Sequence, residues 1–179
     1  TGKTVVALHR AVRLAKSENA RVMLATFNEN LALRLAEKVP LIANPTVSDR
    51  IEVGALQAAI AEQYRGQFGS FEIATDHELK QLLQAAADEQ GNPVDRDFLF
   101  DEWYLIVDAW NVQSADEYRD LPRLGRKVRM AASRKEELWR VFQAVRSGLA
   151  AMNKKTSAQL AHELRQNGTW PYTNVLVDE

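Results

Sequence analysis

The first four residues have the types that a phosphate-binding loop requires. Thr1-Gly2-Lys3-Thr4 matches the end of the pattern G-x-x-x-x-G-K-[ST], whose first glycine would precede residue 1. In such a loop Gly2 lets the backbone approach a phosphate, Lys3 reaches the β- and γ-phosphates, and the Thr4 hydroxyl binds Mg²⁺. The alternative interpretation is a solvated lysine at the start of a helix.

The last five residues could supply the other half of such a site. Residues 175–177 (Val-Leu-Val) are typical of a strand buried on both faces of a parallel sheet, and Asp178 and Glu179 follow at its carboxyl end. There Asp178 could hold Mg²⁺ through water, and Glu179 could polarise the water that attacks a γ-phosphate. The alternative is an acidic strand end that faces solvent. Together, the two ends of the chain predict a nucleoside triphosphatase.

The composition is that of one ordinary globular domain or two small ones, with 179 residues, 46% hydrophobic and 26% charged. This excludes a disordered chain and a collagen-like repeat. The absence of cysteine excludes disulfides, thiolate zinc sites and cysteine nucleophiles, and the three histidines lack the spacing of metal ligands. The net charge of −1 gives no global sign of a nucleic-acid partner. Because no apolar run could span a bilayer and no charged-then-apolar leader opens the chain, we expect a cytoplasmic protein.

Helices and strands alternate in the first part of the chain, which predicts a parallel α/β sheet with its phosphate chemistry at the carboxyl ends of the strands. Asn28 is expected to cap the second helix. The predicted elements are a helix over 5–16, a buried strand over 21–26, a helix that Pro40 ends, a strand near 51–53, and a helix over 55–64 that Gly66 and Gly69 break.

The middle of the chain predicts helices alone. Residues 75–78 (Thr-Asp-His-Glu) and 133–136 (Ser-Arg-Lys-Glu) are capping-box patterns, and an apolar stripe at helical spacing is more typical of a core than of a base-stacking platform. We therefore expect an all-helical insert over 70–150 between two parts of one α/β domain, 1–69 and 151–179. The stripe consists of Trp103, Ile106, Val107 and Trp110.

Charge is segregated within the predicted insert. Residues 75–108 contain nine acidic and two basic side chains, a net charge of −7, whereas residues 119–146 contain nine basic and three acidic ones, a net charge of +6. The basic stretch could contact a phosphate backbone, or it could be a solvated face that pairs with the acidic half. The sequence leaves both interpretations open.

Four segments resemble, in order, the motifs of one family. Residues 1–10 (TGKTVVALHR) resemble a phosphate loop with its helix, and residues 22–32 (VMLATFNENLA) resemble motif Ia, a strand that ends in T-F-[TN] before a helix. Residues 139–145 (WRVFQAV) are similar to the helix that leads out of the insert, and residues 172–179 (YTNVLVDE) are similar to motif II. The family is that of the UvrD/Rep-type superfamily 1 DNA helicases, and the resemblance covers nearly the whole chain.

The resemblance implies a RecA-like P-loop NTPase sheet, called domain 1A, that is interrupted by a helical domain 1B. It implies an ATPase that single-stranded DNA stimulates and that moves 3′→5′, with a duplex junction as second partner and with ATP and Mg²⁺ as cofactors. Thr1 to Thr4 would bind ATP, with Lys3 on the phosphates, and Thr4 and Asp178 would bind Mg²⁺. Glu179 would be the catalytic base.

The same resemblance assigns DNA contacts to the end of motif Ia. Thr26, Phe27 and Asn28 would contact DNA by hydrogen bonding and stacking, whereas the alternative for Phe27 is a buried aromatic at a strand end. The family's motif Ib usually reads T-[FVL]-H-[SG]-L, but residues 53–57 read Val-Gly-Ala-Leu-Gln and lack both the threonine and the histidine. Gln57 could still bind a phosphate.

A second class of function stays open, a non-catalytic module that uses the helicase scaffold to hold DNA or a protein. The departure at motif Ib and the near-neutral charge favour it, whereas an intact set of phosphate-loop and motif II residues favours the motor. A third interpretation is a different phosphate-loop ATPase, such as a signalling switch, although the helical insert between motif Ia and motif II counts against it. Because no methionine opens the chain and a buried-type strand ends it, we expect a longer protein. The resemblance implies that it contains domains 2A and 2B, and that these residues alone hydrolyse ATP poorly without the second domain's arginine.

Overall fold

The computed structural model describes residues 2–91, 93–121 and 130–178, and the chain divides into two compact units. The first unit comprises Thr1–Gly69 and Leu164–Glu179, and the second comprises Ser70–Glu163. No helix in the described ranges is both long and apolar enough to cross a membrane.

The first unit is a mixed α/β structure on a three-stranded parallel sheet, in the order β2-β1-β5. Its alternation of helices and strands agrees with the sequence prediction. Its strands are β1 (Val22–Thr26), β2 (Ile51–Ala55) and β5 (Asn174–Asp178), and its helices are α1 (Gly2–Leu14), α2 (Glu29–Ala36), α3 (Val39–Ile42), α4 (Pro45–Ser48) and α5 (Leu56–Phe68).

Strand β1 is the centre of this sheet and is buried on both faces, as its apolar run predicts. Val22 and Leu24 pack on one face in a cluster with residues of α1 to α4. Met23 and Ala25 pack on the other face, with Ala59 of α5. The central strand is therefore held by apolar contacts from both sides.

Strand β5 differs from the prediction of a strand buried on both faces. Leu176 packs with the α1 side of the sheet, but Val175 and Val177 are 41% and 54% exposed. Within the described residues β5 pairs with β1 alone, so it lies at an edge. The prediction was wrong because an apolar run of valines does not reveal whether a second layer covers its strand.

Two helix ends also differ from the predictions. Pro40 does not end a long second helix, because α2 stops at Ala36 and Pro40 lies in the first turn of α3, where its missing N–H costs little. Helix α5 runs through Gly66 and ends at Phe68, where Gly69 caps it with a φ of +96° that suits glycine.

The second unit is mostly helical and has its own apolar core. Its elements are β3 (Glu72–Ile73), α6 (Asp76–Glu89), α7 (Arg96–Glu102), a π-helix (Trp103–Asp108), α8 (Ala115–Asp120), α9 (Ala132–Ala151) and β4 (Lys154–Lys155), and the unit contains the first part of α10 (Ser157–Asn167).

The second unit departs from the expected all-helical insert of residues 70–150. Strands β3 and β4 pair in parallel, and the Thr156 hydroxyl donates to Asp108 Oδ1 at 2.8 Å. Thr156 also caps α10 in a reciprocal box with Gln159. These contacts attach residues beyond 150 to the unit, which therefore continues to Glu163.

Of the two capping boxes predicted in this unit, one is confirmed and one is wrong. The Thr75 hydroxyl accepts from the Glu78 N–H, and Glu78 accepts from the Thr75 N–H, as predicted. Helix α9 instead begins at Ala132, so Ser133 already lies inside its first turn, and Ala131 caps it without a side-chain hydrogen bond.

The apolar stripe of this unit is confirmed except at Trp110. Trp103, Ile106 and Val107 are buried, whereas Trp110 is 65% exposed. The π-helix ends at Asp108, and the turn after it is closed by the Asn111 N–H on the Asp108 carbonyl and the Val112 N–H on the Val107 carbonyl, with Asn111 at a φ of +52°, a pattern that ends helices. Trp110 therefore does not occupy the face that α-helical spacing predicts.

Candidate functional site

The three strands of the first unit end together at one edge of the sheet. Thr26 at the end of β1 lies opposite Ala55 of β2 and Asp178 of β5. Because the strands are parallel, the residues that follow them, Phe27 and Gln57 among them, emerge at this same carboxyl edge. The register thus brings together candidate residues from distant parts of the sequence.

The amino end of α1 reaches this edge as well. Arg50 directly precedes β2, and its guanidinium donates to the carbonyls of Ala15 and Ser17 at 3.3 and 2.7 Å. The carboxyl end of α1 therefore lies beside the amino end of β2. Thirteen helical residues span about 20 Å and five strand residues about 17 Å. Since α1 packs along the sheet through Leu8 and Ala11, its first turn lies at the carboxyl edge.

The first turn of α1 carries the phosphate-loop candidates. Gly2 is exposed and opens the helix, Lys3 is exposed, and Thr4 is half-buried. This turn contains no acidic residue, so no carboxylate within it neutralises the positive end of the helix dipole. Thr1 and Glu179, the remaining candidates of the nucleotide site, lie outside the described residues.

Asp178 is the buried carboxylate at this edge. Its exposed fraction is 5%, and its Oδ2 accepts no hydrogen bond within the described part of the chain. A buried carboxylate oxygen is unfavourable unless a hydrogen bond or a cation satisfies it. The unsatisfied oxygen is therefore suited to a cation, and Mg²⁺ prefers oxygen ligands of this kind.

The end of β1 is organised so that Phe27 points outward. Thr26 is fully buried, and its hydroxyl donates to the Asn28 carbonyl at 2.8 Å and accepts from the Asn28 N–H at 3.2 Å. Asn28 Oδ1 accepts from the Leu31 N–H at 3.1 Å and caps α2, as predicted. Phe27 between them is 68% exposed, which excludes the buried alternative.

Helix α5 starts directly after β2 at the same edge. Ala55 is its N-cap and makes no side-chain hydrogen bond, and Gln57 is exposed in the first turn. The position therefore offers backbone N–H donors and a side-chain amide in place of the threonine and histidine of motif Ib.

The sequence did not reveal the contacts that position β5. Thr173 N–H donates to the Arg21 carbonyl at 2.8 Å, and Arg21 N–H donates to the Thr173 hydroxyl at 3.0 Å. The Thr169 N–H donates to Gln67 Oε1 at 2.6 Å. These partners lie more than a hundred residues apart, so no local pattern could have identified them.

Within the described ranges, no group of three or more acidic or histidine side chains could hold a metal. A cation at this edge would thus rely on Asp178 together with hydroxyl, phosphate or water oxygens. No protein-family model and no curated protein matches this chain.

Proposed function

We propose that this chain forms the first ATP- and DNA-binding part of a RecA-like, DNA-stimulated ATPase of the helicase or translocase type. The observation that carries the proposal is the unsatisfied, buried Asp178 at the edge where the first turn of α1 and the exposed Phe27 also lie. A buried carboxylate oxygen without any hydrogen-bond partner is uncommon in a purely structural role. The direction of movement, 3′→5′, follows from the family resemblance alone.

The proposed nucleotide site uses residues from both ends of the chain. Lys3 and the N–H groups at the start of α1 would bind the phosphates of ATP. Thr4 and Asp178 would hold Mg²⁺, which when bound neutralises charge on the β- and γ-phosphates. Glu179 would accept the proton of the attacking water.

The proposed DNA surface lies beside this site on β1 and α5. The exposed Phe27 ring would stack on a base of single-stranded DNA, and Gln57 would hydrogen-bond a phosphate. Thr26 and Asn28 would act mainly by holding the Phe27 backbone, since their side chains already bond to the chain itself.

The decisive test is ATP hydrolysis with and without single-stranded DNA, in the polypeptide in which the phosphate loop is complete. We expect DNA to stimulate hydrolysis, and we expect Glu179→Gln and Asp178→Asn each to lower turnover at least about a hundredfold. Asp49→Asn, at an exposed carboxylate, is the matched control. Absence of hydrolysis with DNA still bound would replace this proposal by the non-catalytic scaffold.

A second test isolates the DNA surface in the chain described here. Phe27→Ala should weaken the binding of a fluorescent oligothymidylate about tenfold, because one stacked base is lost. Leu33→Ala removes a side chain of similar exposure, 65% against 68%, from α2 and should leave the affinity unchanged. Equal effects of the two variants would contradict the stacking role.

A further inference from the structure

Helix α1 carries positive charge on the face that points away from the sheet. Leu8 and Ala11 pack in the core, whereas Arg10 and Arg13 are exposed on the other side of the helix. The helix contains no acidic residue, and the first carboxylate in the chain belongs to Glu18, beyond its end. The two arginines lie about two and three turns away from the first turn that carries the proposed ATP-binding residues.

The elements that pack on α1 do not neutralise this charge. They are chiefly β1, β5 and α3. Among the residues of these three elements, all of them described, the only carboxylate is that of Asp178. It is buried at the carboxyl edge of the sheet, beside the opposite end of α1. The positive charge of the outer face is therefore unopposed by its neighbours.

Two arginines elsewhere in this unit have partners within the protein. Arg21 pairs with Glu52 at 3.5 Å, and the Arg50 guanidinium donates to two backbone carbonyls. The guanidinium groups of Arg10 and Arg13 have neither an ion pair nor a hydrogen bond in the part of the chain that the structure describes. Because a guanidinium binds a carboxylate or a phosphate through two parallel N–H groups, both are available to an anionic ligand.

A depression on this face combines the two guanidinium groups with apolar walls. Its volume is about 610 Å³, and Val6, His9 and Leu14 line it together with Arg10 and Arg13. Val6 is 66% exposed. Since all five residues line the same depression, one ligand can contact the cations and the apolar side chains together.

This combination favours an acidic protein segment over a nucleic acid. A phosphate backbone would pair with Arg10 and Arg13 but would leave Val6 and Leu14 in contact with water. Among the described residues that line the depression there is no phenylalanine, tyrosine or tryptophan on which a base could stack. A segment with both carboxylates and aliphatic side chains would pair with the guanidinium groups and also cover the apolar walls.

We propose that this depression on the outer face of α1 docks a protein segment in which aspartate or glutamate alternates with aliphatic residues. The carboxylates of the segment would pair with Arg10 and Arg13. Its aliphatic side chains would cover Val6, Leu14 and the methylene stems of the arginines. The site is independent of the ATP and DNA residues proposed above, so either proposal can fail without the other.

The test uses the full 179-residue chain and a fluorescent synthetic peptide of alternating glutamate and leucine, with binding measured by fluorescence anisotropy. We expect binding that weakens with salt, and a Kd at least about tenfold higher for the double variant Arg10→Gln, Arg13→Gln. Val6→Ser keeps both cations and should raise the Kd about threefold, because apolar contact is lost.

The matched control removes the same charge from other helices. Arg34 of α2 and Arg165 of α10 are exposed, and neither side chain has an ion pair or hydrogen bond among the described residues. The double variant Arg34→Gln, Arg165→Gln therefore loses the same two positive charges and should bind the peptide as the parent does. Equal weakening by the two double variants would show general electrostatic attraction and would overturn the proposal.

Three comparison ligands test the chemistry of the partner. A glutamate–serine peptide lacks the apolar residues and a lysine–leucine peptide lacks the carboxylates, so both should bind more weakly than the glutamate–leucine peptide. An oligothymidylate should bind the parent and the Arg10→Gln, Arg13→Gln variant equally.

Three results would overturn the proposal. The first is that the glutamate–leucine peptide does not bind, or binds the Arg10→Gln, Arg13→Gln variant with an unchanged Kd. The second is that this variant weakens oligothymidylate binding as much as peptide binding, which would make the face a nucleic-acid contact. The third is a dimer of the parent that the same variant abolishes, which would make a second copy of this chain the occupant.

Discussion

The buried carboxyl groups of the two units differ in their hydrogen bonding. In the second unit Glu102 is fully buried and accepts from the Tyr118 hydroxyl at 2.7 Å, and Asp108 accepts from the Thr156 hydroxyl at 2.8 Å. In the first unit Asp178 is equally buried, but its Oδ2 has no hydrogen-bond partner among the described residues.

This difference separates polar groups that stabilise a fold from polar groups that are available for a ligand. Glu102 and Asp108 join elements of a helical core, so their hydrogen bonds contribute to the stability of the unit itself. Asp178 keeps a desolvated oxygen that the described structure does not satisfy, which is unfavourable without a ligand. We therefore expect substitutions in the two units to affect different quantities, namely folding in the second unit and ligand binding in the first.

The largest stability effect is expected from Glu102→Ala. It leaves the buried Tyr118 hydroxyl without this partner and opens a cavity, so the second unit should lose about 3 kcal/mol of unfolding free energy. Glu102→Gln keeps an acceptor oxygen and the volume, and should lose less. Urea unfolding followed by circular dichroism measures both, and equal losses would show that neither the volume nor the acceptor oxygen kept by glutamine stabilises this position.

Asp108 should make the stability of the second unit depend on pH. Burial raises the pKa of its carboxyl above the ordinary value of 3.8, against smaller opposite effects from Thr156, His162 and Arg146. The folded state then holds the proton more tightly than the unfolded state, so this contribution is complete below pH 3.8 and is lost as the pH rises through the raised pKa.

The substitution Asp108→Asn removes this titration and keeps an oxygen for the Thr156 hydroxyl. The variant should therefore gain unfolding free energy relative to the parent as the pH rises from about 4 to about 7. Urea unfolding at several pH values measures the difference. A constant difference across that range would contradict the assignment.

Helix caps provide a smaller, matched comparison within the second unit. Thr75→Ala should cost about 1 kcal/mol, because the Glu78 N–H loses its acceptor. Ser133→Ala should be neutral or slightly stabilising, since Ser133 lies within the first turn of α9 and does not cap it. Equal losses in thermal unfolding would instead favour a capping box at 133–136.

The smallest stability effect is expected from Asp178→Asn. No hydrogen bond to Oδ2 is lost and a buried charge is removed, so the unfolding free energy should stay within about 0.5 kcal/mol of the parent or rise. The same substitution should abolish most ATP turnover, as proposed above. A loss above about 1 kcal/mol would mean that Asp178 is a structural residue like Glu102.

Local patterns predicted local structure well. The apolar run of β1, the Asn28 cap and the Thr75 capping box are all present as the sequence indicates, because each depends on neighbours within about four residues. The Thr156 box follows the same local pattern, a threonine followed three residues later by glutamine.

The predictions failed where a distant contact or an unusual turn decides the outcome. The exposure of Val175 depends on which layers cover β5, and Trp110 is exposed after a π-helix that α-helical spacing does not predict. The second unit continues past residue 150 through Thr156, whose partner Asp108 lies 48 residues earlier.

The sequence by itself determined which chemical groups are present and in what order, including the lysine and threonine at one end and the aspartate at the other. Tertiary structure decided that these groups share an edge, because parallel pairing sets Thr26 of β1 opposite Asp178 of β5, and α1 runs back along the sheet. It also decided that Asp178 is buried with an unsatisfied oxygen while Phe27 is exposed. Burial and register arise from contacts between residues far apart in the chain, and local sequence patterns carry little information about such contacts.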